Sequence, residues 1–223
     1  NMREMAYQVD AKVYRPFDGR YTVFGRRMWD ESAPYFGQQV HAQAGEMIAS
    51  GQEGYGRLHY ARLRAAWTVA EHFGGAYSWQ PLDRLDPVLA ELEPHPVADR
   101  AEMSAQVKAT ARAYGASLVG ITPLDRRWLY SHDRAGRAVP VPPKIKNAVV
   151  MAIAMDSTAI ATSPAYDAAA ATGVGYSRMA FAVSCLAQFI RLLGYQALPM
   201  GNDSTLSIPL AIDAGLGELG RNG

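Results

Sequence analysis

A single cysteine, Cys185, leaves no partner for an internal disulfide and too few thiolates for a cysteine-based zinc or iron–sulfur site within these 223 residues. An excess of one charge is missing too. Twenty-two lysines and arginines face 21 aspartates and glutamates, and the basic residues are scattered, so nothing argues for nucleic acid as a partner. No stretch reaches the roughly 20 apolar residues of a transmembrane helix, and no charged-then-apolar leader opens the chain. The five histidines, His41, His59, His72, His95 and His132, show no metal-ligand spacing and read as surface or loop residues, so no metal site is assigned. What is there is a globular composition, 49% hydrophobic, large enough for one domain or a domain with an extension.

Two regions differ in texture. Residues 1–95 are rich in Tyr, Trp, Arg and Gly, and the spacing there predicts one helix, Tyr55 to Phe73, with Leu58, Ala61, Leu63, Ala65, Ala66 and Val69 as its apolar stripe. This reads as a wrapping segment. Pro81, Pro87, Pro94 and Pro96 punctuate a linker, after which Asp99 is the N-cap expected for a helix from Arg100 to Tyr114, ended by Gly115. From residue 96 to 223 the pattern is regular. Ser117–Ile121 is a short apolar strand, and Asn147–Met155 a continuous apolar run of the kind buried on both faces of a sheet. Pro164 opens a helical region that presents Ala182, Cys185, Leu186, Phe189 and Leu193 at helical spacing and stops at Gly194. Tyr195–Pro199 is expected to be a third strand and Leu206–Asp213 a short helix. Alternating helices and short strands indicate an α/β fold, a layered α+β core beginning near residue 96.

Few residues carry chemistry. Cys185 shares its stripe with Phe189 and Leu193 and reads as a buried small hydrophobe rather than a nucleophile. The turn from Gly201 to Ser207 joins a strand end to a helix start, where unpaired backbone N–H groups and hydroxyls converge. It either grips a polar ligand edge or is an ordinary cap made by Asn202, Asp203 or Ser204. Tyr176 follows Gly173 and Gly175, whose small size leaves space around its phenol; it is either a proton donor or a core tyrosine. The run Gly215-Leu-Gly217 to Gly220-Arg-Asn-Gly223 follows a helix, so it is no dinucleotide fingerprint, and its glycines imply close approach to a strand or a flat ligand. The chain ends inside that run and starts on Asn1, and both ends read as those of a fragment.

The string Gly175-Tyr-Ser-Arg-Met179, with Ala187-Gln-Phe-Ile-Arg191, Leu193-Gly-Tyr195, Ala197-Leu-Pro199, Asn202, Leu206-Ser207 and Ala211 to Gly217, resembles the corrinoid-binding core of the reductive dehalogenases. Tyr114 to Ile121, Leu124 to Tyr130 and Ala148 to Met155 resemble the opening of the same core, and Tyr21 to Trp29 with Ala65-Ala-Trp67 the family's N-terminal unit. The resemblance implies a nitroreductase-like corrinoid-binding core with an N-terminal wrapping unit, truncated at its C-terminus. It implies a base-off, cobalamin-type corrinoid fed by two 4Fe-4S clusters, with Tyr176 as proton donor to the carbon that loses halide and Asn202 at the reactive face of the cofactor. Thr172 would line the halocarbon pocket beside Tyr176, and Gly201, Asn202, Ser204, Leu206 and Ser207 would contact the corrin.

Respiratory members of that family suggest further expectations: export to the outer face of the cytoplasmic membrane, a small membrane anchor protein, a separate electron donor, a small organohalide substrate, a homodimer and no nucleic acid. The family's cationic partner for the tyrosine and its cluster cysteines follow the Gly-Arg-Asn-Gly motif and are not among these residues. The isolated chain is therefore expected to bind corrinoid weakly and not to turn over. Arg26-Arg27 lies within the resembling segment and is not a twin-arginine leader. Two other readings stand beside it: a corrinoid reductase of the epoxyqueuosine type, which shares the glycine motif, and a non-catalytic corrinoid-binding or chaperone module, suggested by the missing cysteines. Tyr176 to Met179 and the aromatic N-terminal unit favour the dehalogenase.

Overall fold

The computed structural model describes residues 9–38, 43–67, 70, 93–202 and 204–221. The first of these segments lies along the later chain. Ser131 N–H donates to the Phe17 carbonyl and Gly19 N–H to the His132 carbonyl, both at 2.9 Å, the Phe17 ring packs on Tyr130 at 4.8 Å, and the Tyr14 hydroxyl donates to the Arg127 carbonyl. Asp18 caps a 3-10 turn, Gly19–Tyr21, and Thr22 caps the short helix α1, Val23–Arg26, each accepting a first-turn N–H. Helix α2 spans Ala44–Ala49.

Helix α3, Arg57–Ala66, realises the described part of the helix expected from Tyr55 to Phe73; residues 68, 69 and 71–73 lie outside the described residues, as do Pro81 and Pro87. Of the expected stripe, Leu63 is buried while Leu58 and Ala61 are exposed. Leu58 is 62% exposed, whereas Leu63 is 3% exposed and His59 and Tyr60 are half-buried. Positions 59, 60, 63 and 67 share one helical face, and the aromatic and imidazole groups on it meet the long helix described below.

The regular part begins where the prolines stop. Asp99 accepts from Ala101 N–H at 2.7 Å and from Glu102 N–H at 3.4 Å, which starts α4 at Arg100–Ala113. Gly115, at φ +102°, turns the chain where an L side chain would be strained. Strand β1, Leu118–Pro123, pairs antiparallel with β2, Asn147–Ala152, in the register Leu118 opposite Ala152 through Pro123 opposite Asn147. Between them Asp125 caps a 3-10 turn, Arg126–Trp128. Asp156 caps the four-residue α5, Ser157–Ile160, and α6 runs from Tyr166 to Leu192. Helix α7 is Ser207–Asp213.

The fold is thus mixed α+β, helices around a small two-stranded antiparallel sheet. Two expectations are corrected. Tyr195–Pro199 forms no strand: Tyr195 N–H goes to the Ile190 carbonyl, and buried Arg191 takes the Ala197 carbonyl through Nε at 3.0 Å and Nη2 at 2.8 Å, so this backbone is not free for a ladder. Nor is β2 buried on both faces. Asn147 is exposed and the rest of the strand half-buried, because its one described strand partner is β1 and its far side borders an open groove.

The core sits between α4, the sheet and the C-terminal half of α6, where Val107, Ala111, Ala116, Val119 and Leu186 are buried together and Ile121, Met151, Phe189 and Ile190 pack around them. Beta-strand β1 also approaches the end of α7 closely. A Cβ at Gly120 would stand 2.6 Å from the Ala214 carbonyl oxygen, so only glycine fits there. No helix among the described residues is long and apolar enough to cross a membrane.

Two consequences are measurable. Leu186→Ala should cost about 2–5 kcal/mol in denaturant unfolding, against about 1 kcal/mol for Asp99→Ala; equal, small losses would place the core elsewhere. The hydrogen bond from Arg127, at 2.5 Å, holds the Asp125 carboxyl below the usual carboxylate range against the opposing effect of burial. A depressed folded-state value stabilises above the unfolded carboxylate's range and is lost as pH falls through the folded one. Stability of the wild type should therefore fall below about pH 4 more steeply than that of Asp125→Asn, and parallel pH profiles would exclude this contribution.

Candidate functional site

Helix α6 presents Thr172 and Tyr176 one turn apart on the same face, both half-buried. Small buried residues, Gly173 and Gly175, lie beside the phenol, and a Cβ at Gly175 would touch Met155 Cγ at 3.0 Å. The Tyr176 ring meets the Trp67 ring at 5.0 Å between centroids, tilted by 31°. One turn on, the Ala70 N–H donates to Ser177 Oγ at 3.2 Å. The segment after α3 therefore meets α6 at Tyr176, by an aromatic face and a hydrogen bond.

From the other side comes the turn after α6. Asn202 Nδ2 donates to Tyr176 Oη at 3.4 Å, and Ser207 Oγ donates to Asn202 Oδ1 at 3.3 Å. These side chains come from residues 26 apart and from a different element, so folding has brought together Tyr176 and Asn202. Among the described residues, no side chain of the turn is seen to cap α7. Helix α7 begins at Ser207 with Leu206 in the cap position and no side-chain cap bond, while Ser204 Oγ donates to the Gly201 carbonyl at 3.2 Å. Asp203 lies outside the described residues. Ser204 is fully buried and Gly201 buried; their backbone is fixed by Tyr130 N–H donating to the Ser204 carbonyl and Leu206 N–H to the Trp128 carbonyl. Thr172 spends its hydroxyl on the Ala168 carbonyl at 3.0 Å, which leaves its methyl for apolar contact.

Asn202 and Ser207 also border a groove of about 670 Å³. Its walls are β2, the Met179, Val183 and Leu186 side of α6, and the 194–202 segment, with Lys144 and Lys146 at its edge. Most of the lining is apolar, with Lys144, Lys146, Asn147, Gln196, Asn202, Thr205 and Ser207 as its polar members, a mixture suited to an amphiphilic ligand.

The N-terminal aromatic residues make other contacts. Phe17 packs on Tyr130 and Trp29 on Tyr21, at 5.3 Å, and Phe24 is 59% exposed; the ring against Tyr176 belongs to Trp67. In the sequence Trp67 is marked by its place just after α3 and by the Ala65-Ala-Trp67 string, neither of which names Tyr176 as its partner. Cys185 is half-buried, and burial pushes its thiol up, which lowers its thiolate fraction. His59 is on a helix face rather than a loop, with Nε2 at 3.8 Å from Asp167 of α6. His41 and His72 lie outside the described residues, among which no group of three His, Cys, Asp or Glu could hold a metal.

A phenol held by an amide beside a largely apolar groove makes a candidate small-molecule site on an α+β scaffold. No family model matches the chain. It is 34% identical to a tetrachloroethene reductive dehalogenase of Dehalobacter restrictus in a gapped alignment of 190 positions that covers 67% of this chain and 34% of that protein. A protein of the same description from Desulfitobacterium hafniense is 33% identical over equal shares, and one from Sulfurospirillum multivorans is 28% identical in a gapped alignment of 227 positions that covers 83% of this chain and 45% of that protein. The chain belongs to the reductive dehalogenase family. It spans about a third of the length of the first two of these relatives.

In a double-mutant cycle, Trp67→Leu and Tyr176→Leu should couple by about 0.5–1.5 kcal/mol, the range of an aromatic pair. Additive losses would show that the two rings do not support each other.

Proposed function

We propose that this chain supplies the halocarbon-facing and corrinoid-facing part of a reductive dehalogenase, with an N-terminal unit over residues 1–95 and an incomplete, nitroreductase-like corrinoid-binding core over 96–223. The observation that carries this reading is the Asn202–Tyr176 hydrogen bond at the rim of the groove, in a chain similar to tetrachloroethene reductive dehalogenases. The groove suits a corrin: apolar walls accept the ring face, and Gly201, Asn202 and Ser207 line it, while Ser204 and Leu206 belong to the same turn and support it from behind, Ser204 through its bond to the Gly201 carbonyl. One cysteine cannot hold a 4Fe-4S cluster, so no step is assigned to clusters on these residues. In this reading two clusters are held by other parts of the full protein.

Replacing halide by hydrogen on carbon takes two electrons and one proton and releases halide. The corrin cobalt, when bound, supplies the electron chemistry at the carbon–halogen bond. Tyr176 supplies the proton. Its oxygen accepts from Asn202, so that contact leaves the phenol's own hydrogen available for a substrate carbon. Trp67 covers one face of the phenol and limits its access to water, and the Thr172 methyl supplies an apolar contact one turn away. The substrate is a small organohalide, and a membrane anchor protein, an electron donor, a homodimer and a place on the outer face of the cytoplasmic membrane belong to the same reading.

In the corrinoid-loaded and cluster-loaded enzyme, Tyr176→Phe should lower dehalogenation by about 10²- to 10⁴-fold, the usual contribution of a general acid. Full turnover by Tyr176→Phe would sink the assignment.

A further inference from the structure

Tyr176, Asn202 and Ser207 form a row of three side chains, with Asn202 in the middle. A carboxamide has a donor end and an acceptor end, while both flanking hydroxyls can donate or accept. The row can therefore run in two directions. In one, Ser207 donates to Oδ1 and Nδ2 donates to Tyr176, whose hydrogen stays unspent. In the other, Tyr176 gives its hydrogen to Oδ1 and Nδ2 serves Ser207. The two differ in whether the phenol has a proton to give.

We propose that Ser207 is a positioning residue that fixes the first direction: its hydroxyl holds Asn202 Oδ1, turns Nδ2 to the Tyr176 oxygen and keeps the tyrosine proton available. The proposal rests on the reading of Tyr176 as proton donor. Ser207 is suited to the role because its backbone is anchored where that of Asn202 is exposed. Leu206 N–H donates to the Trp128 carbonyl at 2.7 Å, Thr205 bridges Leu129, and at the far end of α7 Trp128 Nε1 donates to Asp213 Oδ2 at 2.9 Å. The two turns are thus fastened together on both sides of Ser207. The hydrogen bond described for its hydroxyl is the one to Asn202, which is the role in the site assigned to it. Separations of 3.3 and 3.4 Å leave room for the row to tighten around a bound ligand.

Two readouts test this. In the isotope-labelled 223-residue chain, NMR cross-relaxation between the Asn202 side-chain amide protons and the Tyr176 ring should be lost in Ser207→Ala and kept in Ser207→Thr. In the loaded enzyme, Ser207→Ala should lower kcat about tenfold, the effect of one hydrogen bond, with KM unchanged, and Ser207→Thr should restore it. Persistence of the amide contact and of kcat in Ser207→Ala would overturn the proposal. If Tyr176→Phe abolishes turnover while Ser207→Ala alters neither readout, the positioning role alone fails. If the amide contact depends on Ser207 but Tyr176→Phe turns over fully, the row stands and the proton-donor reading fails.

Discussion

Burial of Leu186 among Val107, Ala111 and Val119 locks the C-terminal half of α6 to the sheet and to α4. The site depends on that contact. The helix is 27 residues, about 40 Å at 1.5 Å per residue, and Tyr176 sits near its middle, ten residues before the anchor at Leu186. Because a helix is stiff over that distance, fixing one half sets where the phenol of the other half points. Ala180, Ala182 and Ala187 are buried on the way, so neighbouring elements come close to the helix backbone without large side chains between them.

The same helix has a second clamp at its N-terminal half. Leu63 of α3 is buried, and Trp67 and Ala70 reach Tyr176 and Ser177 directly. The early chain is in turn fastened to the 127–132 loop through Phe17, Gly19 and Tyr14. That loop also carries Trp128 and Tyr130, which fasten the turn bearing Asn202 and Ser207. One loop therefore ties the early chain and the polar row to a common frame, although these parts are far apart in sequence.

Buried Arg191 shapes the approach to the groove. Arg191, at the end of α6, spends its guanidinium on the Ala197 carbonyl and holds the 195–200 segment as an irregular wall. A strand there would have needed that carbonyl and the Pro199 N–H, which does not exist. The wall leaves the far side of β2 facing the groove, and this gives the groove its apolar lining.

Local rules made much of this legible. Asp99 and Gly115 bound α4 because capping and left-handed turns act within a few residues, the apolar run at 147–152 is a strand, and the helix ending before Gly194 is continuous. The string around Tyr176 and the later Asn202 carried the family resemblance, since both are read as letters in order. What the sequence by itself determined was where helices and strands begin, and which residue types could handle a proton or a large ligand. Only the tertiary structure decided that Leu58 is exposed while His59 and Tyr60 turn inward, that Tyr195–Pro199 is a wall rather than a strand, and that Trp67 and Ser207 join Tyr176. The physical reason is range: caps and periodicity are settled within one or two turns, whereas these contacts depend on how α3, α6 and the 128–130 loop pack together, which no local spacing encodes.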